Sequence, residues 1–290
     1  MRVSNIFIFL VLLVTFSSCE DKIDLDLEDG KIQLVVDGFI TNDSSIQTIR
    51  LTKTAAYFSN IETPFENDAV VRVLGPNNKV FNFISDGIGN FSYNPQMSGP
   101  LDSTNFSYQL EIDYKGETYQ ALSVLNPIPS IDSMTYAFEE EELGAEEGYY
   151  TQFYARDFAG RKDYYWIRSF RNGTNVYEED RTFLILSEDA AFGGDGADGF
   201  VFILPLRAAI TNQEDPFKLG DTSSVELFSL NSAPYQFLDQ IITNSGNDGL
   251  FATPSANYRS NILTMAGNPQ EEVLGVFSLS AISKFEIVIQ

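Results

Sequence analysis

The chain has 290 residues, with 41 acidic against 18 basic side chains, no histidine, one cysteine and a formal charge of -23 at pH 7. So acidic a surface repels phosphate backbones, which are bound by clustered Lys and Arg, and this excludes nucleic acid as a partner. Without His there can be no Ser-His-Asp triad, Cys-His pair or His-ligated zinc or copper site, and one Cys makes no intrachain disulfide. Surviving chemistry would need carboxylates, Ser-Lys, Tyr or a hard cation such as calcium.

The first segment carries Arg2, an apolar run from Ile6 to Val14 and the small pair Ser17-Ser18 before Cys19. These are the parts of a secretory signal, and the run is shorter than the about 20 apolar residues that span a bilayer. Phe16-Ser17-Ser18-Cys19 is similar to the lipobox of bacterial lipoproteins, in which the signal is cut before the Cys and the thiol is diacylated. The expectation is a signal peptide over 1–18, lipidation at Cys19 and membrane attachment through acyl chains, each buried methylene contributing about 0.8 kcal/mol. Residues 19–30 are expected to form an acidic tether, with the acids falling within 20–30. Acids directly after the lipidated Cys resemble the surface-export signals of Bacteroidota-type lipoproteins. That implies an outward-facing position on the outer membrane, with the periplasmic face as the alternative.

From Lys31 the pattern turns to short strands. Ile32 to Ile40 is rich in Val and Ile, Gln47 to Lys53 alternates around Ile49 and Leu51, and Val70 to Leu74 is apolar. Lys79 to Ile84 alternates, and Phe106 to Tyr114 places five apolar residues on one face. Lys115-Gly116-Glu117 turns the chain into Thr118 to Leu122, a hairpin. So many strands without helical periodicity predict an immunoglobulin-like β-sandwich over 31–126. Asp86 to Tyr93 resembles the Asp-Gly-x-Phe turn and strand of transthyretin-type sandwiches.

Asn126-Pro127-Ile128-Pro129 marks a boundary, because two prolines cannot donate to a central ladder. The second domain, 127–290, is expected to be β-rich. Its strands fall over 133–138, 149–156, 164–170, 181–187, 199–206, 225–230, 273–279 and 284–289. One helix is expected near 233–244, capped by Ser232, with Phe237, Leu238, Ile241 and Ile242 at helical spacing. The fold class is therefore mainly β: a sandwich followed by a β-rich domain with one helix.

An ordered set of motifs carries a family likeness. It runs from the Cys19 anchor through Leu34 to Thr41, Lys53 to Phe58, Tyr119-Gln120-Ala121 and Pro127 to Ser133. It continues through Asp163 to Arg168, the Tyr235 to Ile242 helix, Asn257 to Ile262 and Val273 to Ser278. The set resembles a family of Bacteroidota outer-membrane lipoproteins named as a domain of unknown function, family 4249. Such proteins are often encoded beside TonB-dependent receptors. The resemblance thus implies a TonB-dependent outer-membrane receptor as partner and a place in nutrient uptake, but supplies no catalytic residue.

Two groups of residues remain as site candidates. Asp195 and Asp198, among Gly193, Gly194, Gly196 and Gly199, make the most metal-like loop. Calcium is the one ion it would suit, yet calcium takes about six to eight oxygens and a flexible connector is the plainer reading. Glu139 to Glu142 with Glu146 and Glu147 reads in the same way as a solvated loop. Tyr164, Tyr165 and Trp166 are the densest aromatic cluster and include the single Trp, so they are candidate ligand contacts. On a strand only alternate members of the three can share a surface. Tyr149-Tyr150 and Tyr57-Phe58 carry the same two readings. The function expected is that of a non-catalytic accessory or capture protein with no cofactor, taking a small-molecule, peptide or glycan ligand. A free-standing surface adhesin or glycan binder is the alternative, and a carboxylate-based hydrolase the third reading.

Overall fold

The computed structural model describes residues 31–55, 63–177, 183–193, 196–246, 258–265 and 273–290. Cys19 with its leader and tether, Tyr57-Phe58 and Asp195 lie outside the described residues. From Ile32 onward the described chain is one compact unit.

The N-terminal half is made of strands because its apolar residues alternate. β1 (Leu34–Thr41), β2 (Gln47–Lys53), β3 (Ala69–Leu74), β4 (Val80–Ser85), β5 (Asn90–Tyr93), β6 (Ser107–Tyr114) and β7 (Glu117–Val124) follow the expected order. In β6 the side chains of Tyr108, Leu110, Ile112 and Tyr114 are buried, while Phe106, just outside the strand, is exposed. The β6–β7 turn places Lys115 at φ 49° and Gly116 at φ 84°, the paired positive angles that match the twist of a tight hairpin. The Asp86 turn is closed by its own side chain, which accepts the Ile88 N–H at 2.9 Å and the Asn90 N–H at 3.2 Å.

These strands join β14 (Leu263–Thr264) and β15 (Leu274–Ser280) in one nine-stranded sheet, ordered β14-β7-β6-β3-β4-β5-β2-β1-β15. The β4–β5 pairing is short, and there the sheet curls over, enclosing a core that includes Ile49, Leu51, Phe81, Phe91 and Tyr108. The ends of the curl meet where Ser123 Oγ of β7 accepts the Leu279 N–H of β15 at 2.9 Å. The mainly β sandwich expected over 31–126 is present, but it takes two strands from the far end of the chain. One of them, β15, pairs parallel with β1 from Val35↔Leu274 to Thr41↔Ser280.

The second sheet is ordered β11 (Thr174–Asn175), β10 (Tyr164–Arg171), β13 (Thr222–Leu230) and β16 (Ile282–Val288), with β12 (Ile185–Glu188) also paired to β10. Its inner face, including Tyr165, Ile167, Val225 and Leu227, packs with Phe153 and Phe202. Phe153 comes from the hairpin of β8 (Ile131–Glu139) and β9 (Gly148–Ala155). Against the outer face lies the helix Ser232–Ser245, whose Leu238 meets Leu186 and Leu230. A short helix, α1 (Pro95–Ser98), connects β5 to β6, and Ser232–Ser245 is α2.

Two local expectations fail for physical reasons. Ser232 does not cap α2, since the preceding Asn231 occupies that position. Asn231 makes no side-chain cap bond either, and instead donates to Ser123 Oγ and to the Val124 carbonyl, both at 2.9 Å, fastening the helix start to β7. The strand expected over 199–206 is a single bridge between Arg156 and Val201 followed by one tight helical turn, Leu206–Ala208. Phe202 and Leu206 are buried while Ile203 and Leu204 are exposed, a spacing of four rather than two. Pro205 in addition has no N–H for a ladder.

Candidate ligand-binding cleft

Alternation leaves each sheet with a second face, and those faces meet across an open cleft of about 970 Å³. On β10 the odd residues Tyr165, Ile167 and Ser169 point into the core, while Trp166, Arg168 and Phe170 line the cleft. On β1 and β2 the residues facing away from the sandwich core, among them Asp37, Phe39, Thr48 and Arg50, form the opposing wall. Gly275 and Val276 of β15 lie between the walls, and Phe237, Leu238 and Ile241 of α2 close one side. Gly275 is held at φ +101°, and a Cβ there would come within 1.9 Å of the Val36 carbonyl oxygen. Only glycine allows this approach of β15 to β1.

Each wall sets an arginine opposite a carboxylate on the neighbouring strand. Asp37 and Arg50 are direct cross-strand partners. Burial raises the Asp37 carboxyl above its usual range, opposed by the Phe39 N–H and the Arg50 charge. The Arg50 guanidinium also lies 5.1 Å from the Phe65 ring centre. Arg168 sits between aromatics, 5.4 Å from the Trp166 ring centre and 4.9 Å from that of Phe170. Its cross-strand partner Glu226 is 4.0 Å away. Burial lowers the Arg168 pKa, and Glu226 opposes that shift. Farther along, Tyr177 stacks on Phe183 with ring centres 4.1 Å apart. The Tyr177 hydroxyl donates to the Ala209 carbonyl at 2.7 Å, and burial pushes its pKa up to about 12.

Of the aromatic trio, Trp166 alone lines this cleft. Its ring also packs on Phe39 and Phe228, at 5.5 and 5.3 Å. Tyr164 is half-buried against Tyr235 of α2, at 4.8 Å. Tyr165 is wholly buried, its hydroxyl donating to Asp157 at 2.5 Å. Arg168 and Phe170 were missed, although they stand two and four residues after Trp166 and so had to share its face. Asp37 and Arg50 left no comparable signal, since strand register decides that they face each other.

Asp198 spends both carboxylate oxygens on the Gly160 N–H, at 2.9 Å each. Among the described residues no three His, Cys, Asp or Glu side chains gather as a metal site would require. Glu142 and Ala145 close a tight turn backbone to backbone, which makes the acidic run a loop. A different set of acids is buried beneath the second sheet. Asp163 accepts from Arg161 Nε at 2.7 Å, Asp189 accepts the Asp163 N–H at 2.8 Å, and Asp157 accepts the Gly199 N–H at 3.0 Å. Burial raises the Asp163 carboxyl, with Arg161 opposing and Asp157 and Asp189 adding to the rise. The cluster holds its own cation and pins the 196–200 loop to β10. No helix among the described residues is long and apolar enough to cross a membrane.

A family model described as a domain of unknown function, DUF4249, matches residues 20–286. The chain belongs to this family. The match takes in every strand and helix described above except the last two residues of β16, so the cleft between the sheets lies within the DUF4249 region. Comparison with the curated proteins gives no match.

Proposed function

We propose that this DUF4249 protein is a non-catalytic capture protein, lipid-anchored through Cys19 at the outer membrane and facing outward. It holds a small ligand in the cleft between its sheets for a TonB-dependent uptake system. The cleft carries the reading: about 970 Å³ in volume, walled largely by aromatic and aliphatic side chains, with two arginines, Asp37 and four Thr and Asn side chains among its polar groups. That is the composition of small-molecule sites in general. Asp37 is the one carboxylate along it among the described residues, whereas acid-base hydrolysis of a glycoside uses two. The adhesin reading wants the aromatic trio together on an exposed surface, whereas Tyr165 is wholly buried and Trp166 faces the cleft.

Two measurements test this function. Purification of the anchored protein from mildly solubilised outer membranes should bring down a large β-barrel identifiable by mass spectrometry. Repeated preparations without one would remove the transport role. Cys19→Ala should release a folded, soluble protein, and its persistence in carbonate-washed membranes would remove the lipid anchor.

A further inference from the structure

Arg168 stands out against the chemistry of its surroundings. The chain has more than two acids for every base, yet this guanidinium takes no hydrogen bond partner among the described residues. Glu226 lies directly across from it on β13, but 4.0 Å is beyond hydrogen-bond reach. Glu226 is also engaged elsewhere. Its other oxygen accepts from Lys284 at 2.9 Å, and Lys284 reaches Asp43 at 3.1 Å. The charges therefore run Arg168, Glu226, Lys284, Asp43 across the sheet, and the member facing the cleft is the one left with its donors unspent. Arg50, on the opposite wall, has Asp37 as its cross-strand neighbour and the Phe65 ring centre 5.1 Å away.

A guanidinium held between Trp166 and Phe170, partly out of water, with a fork of free N–H donors, is suited to a planar anion. The rest of the molecule limits the charge of that anion. A net charge of -23 penalises a second negative charge, and on the facing wall the Asp37 carboxylate offsets the Arg50 guanidinium across from it. Of the remaining walls, Phe39, Phe183, Phe237 and Ile241 offer apolar contact to whatever the anion is attached to, while Thr48, Asn90, Thr174 and Asn175 add neutral polar groups. We infer that the cleft binds an amphipathic monocarboxylate, with Arg168 as the bidentate anchor of the carboxylate and the aromatic walls receiving an aryl or alkyl body. This rests on the capture reading and names its ligand class.

Trp166, the only tryptophan in the chain, lines the cleft beside the anchor and reports occupancy directly. The probes are 4-phenylbutyrate, decanoate, the primary amide of each, and phenylsuccinate as a dicarboxylate. They are titrated by calorimetry and Trp166 fluorescence into the chain from residue 19 onward, made soluble by Cys19→Ala. The monocarboxylates should bind at least about tenfold more tightly than their amides and than phenylsuccinate. Arg168→Gln should remove that preference while leaving the weak binding of the amides unchanged. Glu226→Gln should tighten the acids, because it removes the opposing charge. Equal binding of acids and amides by the unaltered cleft would overturn the carboxylate assignment and leave capture standing, and this comparison decides even where Arg168→Gln fails to fold. No binding of any acid, with Trp166 unperturbed throughout, would also overturn the assignment, and capture itself would then be judged by the co-purifying barrel.

Discussion

The two sheets bury their inner faces by different means. The curled nine-stranded sheet closes on itself around a large apolar core, with Gln47, Glu66, Ser123, Ser278 and Ser280 as its buried polar side chains among the described residues. The second sheet is too small to curl and is covered by a hairpin and loops. Beneath it lie Asp157, Asp163, Asp189, Thr151, Thr211, Ser169, Ser187 and Ser223, all buried. Irregular backbone brought against a sheet carries unpaired N–H and C=O groups, and these side chains satisfy them. Ser169 Oγ donates to the Ile210 carbonyl at 2.5 Å, and Thr211 Oγ1 accepts the Thr151 N–H at 2.9 Å. The lesson is that one sheet is held by closure and the other by polar ties, and the outer faces left over by both are what form the cleft.

Closure is broken most severely at Gly275. Gly275→Ala would drive its Cβ into the Val36 carbonyl and force a left-handed angle on an L-residue. The parallel β1–β15 pairing, which joins the first and last parts of the chain, should be lost. Denaturant unfolding should show a loss of about 4 kcal/mol, at the upper end for a point substitution. A loss below about 1 kcal/mol would mean that β15 can pair at a greater distance.

Among the described residues the sandwich has one buried acid, Glu66, and it gives the closed sheet a pH dependence. Burial alone would raise the Glu66 carboxyl. The 2.6 Å ion pair from Lys53, the 2.5 Å bond from the Tyr114 hydroxyl and the Asp68 N–H hold it instead at about 2, below its ordinary 4.5. A carboxyl depressed on folding stabilises fully above its unfolded pKa and loses that contribution as pH falls through the folded value. The stabilisation is ~3 kcal/mol at neutral pH and fades between about pH 4.5 and 2. Glu66→Gln should therefore be less stable at pH 7, and its unfolding midpoint should change less than the natural chain's on acidification. Parallel acid limbs for both proteins would rule out Glu66 as the source.

The polar ties of the second sheet predict smaller, separable losses. Tyr165→Phe keeps the ring against Phe202 but removes the donor to Asp157, which retains the Gly199 N–H at 3.0 Å. About 2 kcal/mol should be lost. Amide exchange should quicken in the 196–200 loop before it does so in β6, and uniform acceleration would mean that the tie is not local.

The closed sheet was the more legible of the two. Strict alternation in Phe106 to Tyr114 and the Lys115-Gly116 turn encode strand, face and hairpin within a few residues, because sandwich burial has the same period as the strand. The β1–β15 pairing left no such trace, since its partners lie some 240 positions apart in the chain and no local pattern carries register. The second sheet was misread where side chains serve loops. Phe202 and Leu206 are buried at a turn's spacing in a segment whose composition suggests a strand. The cleft was half legible: β10 alternation places Trp166, Arg168 and Phe170 together, while the wall opposite them depends on how two sheets face each other.

The smallest predicted effect isolates local geometry from packing. Gly116 takes φ +84° in the β6–β7 turn with no atom within 4 Å of where a Cβ would be. Gly116→Ala thus meets no clash, unlike Gly275→Ala, and costs only the left-handed strain of an L-residue, about 1 kcal/mol. Gly116→Asn should recover much of that, because Asn tolerates the left-handed region. The pair separates two reasons for a glycine in one sheet. If Gly116→Ala proved as damaging as Gly275→Ala, backbone strain rather than the close approach of β15 to β1 would be what demands glycine at both positions.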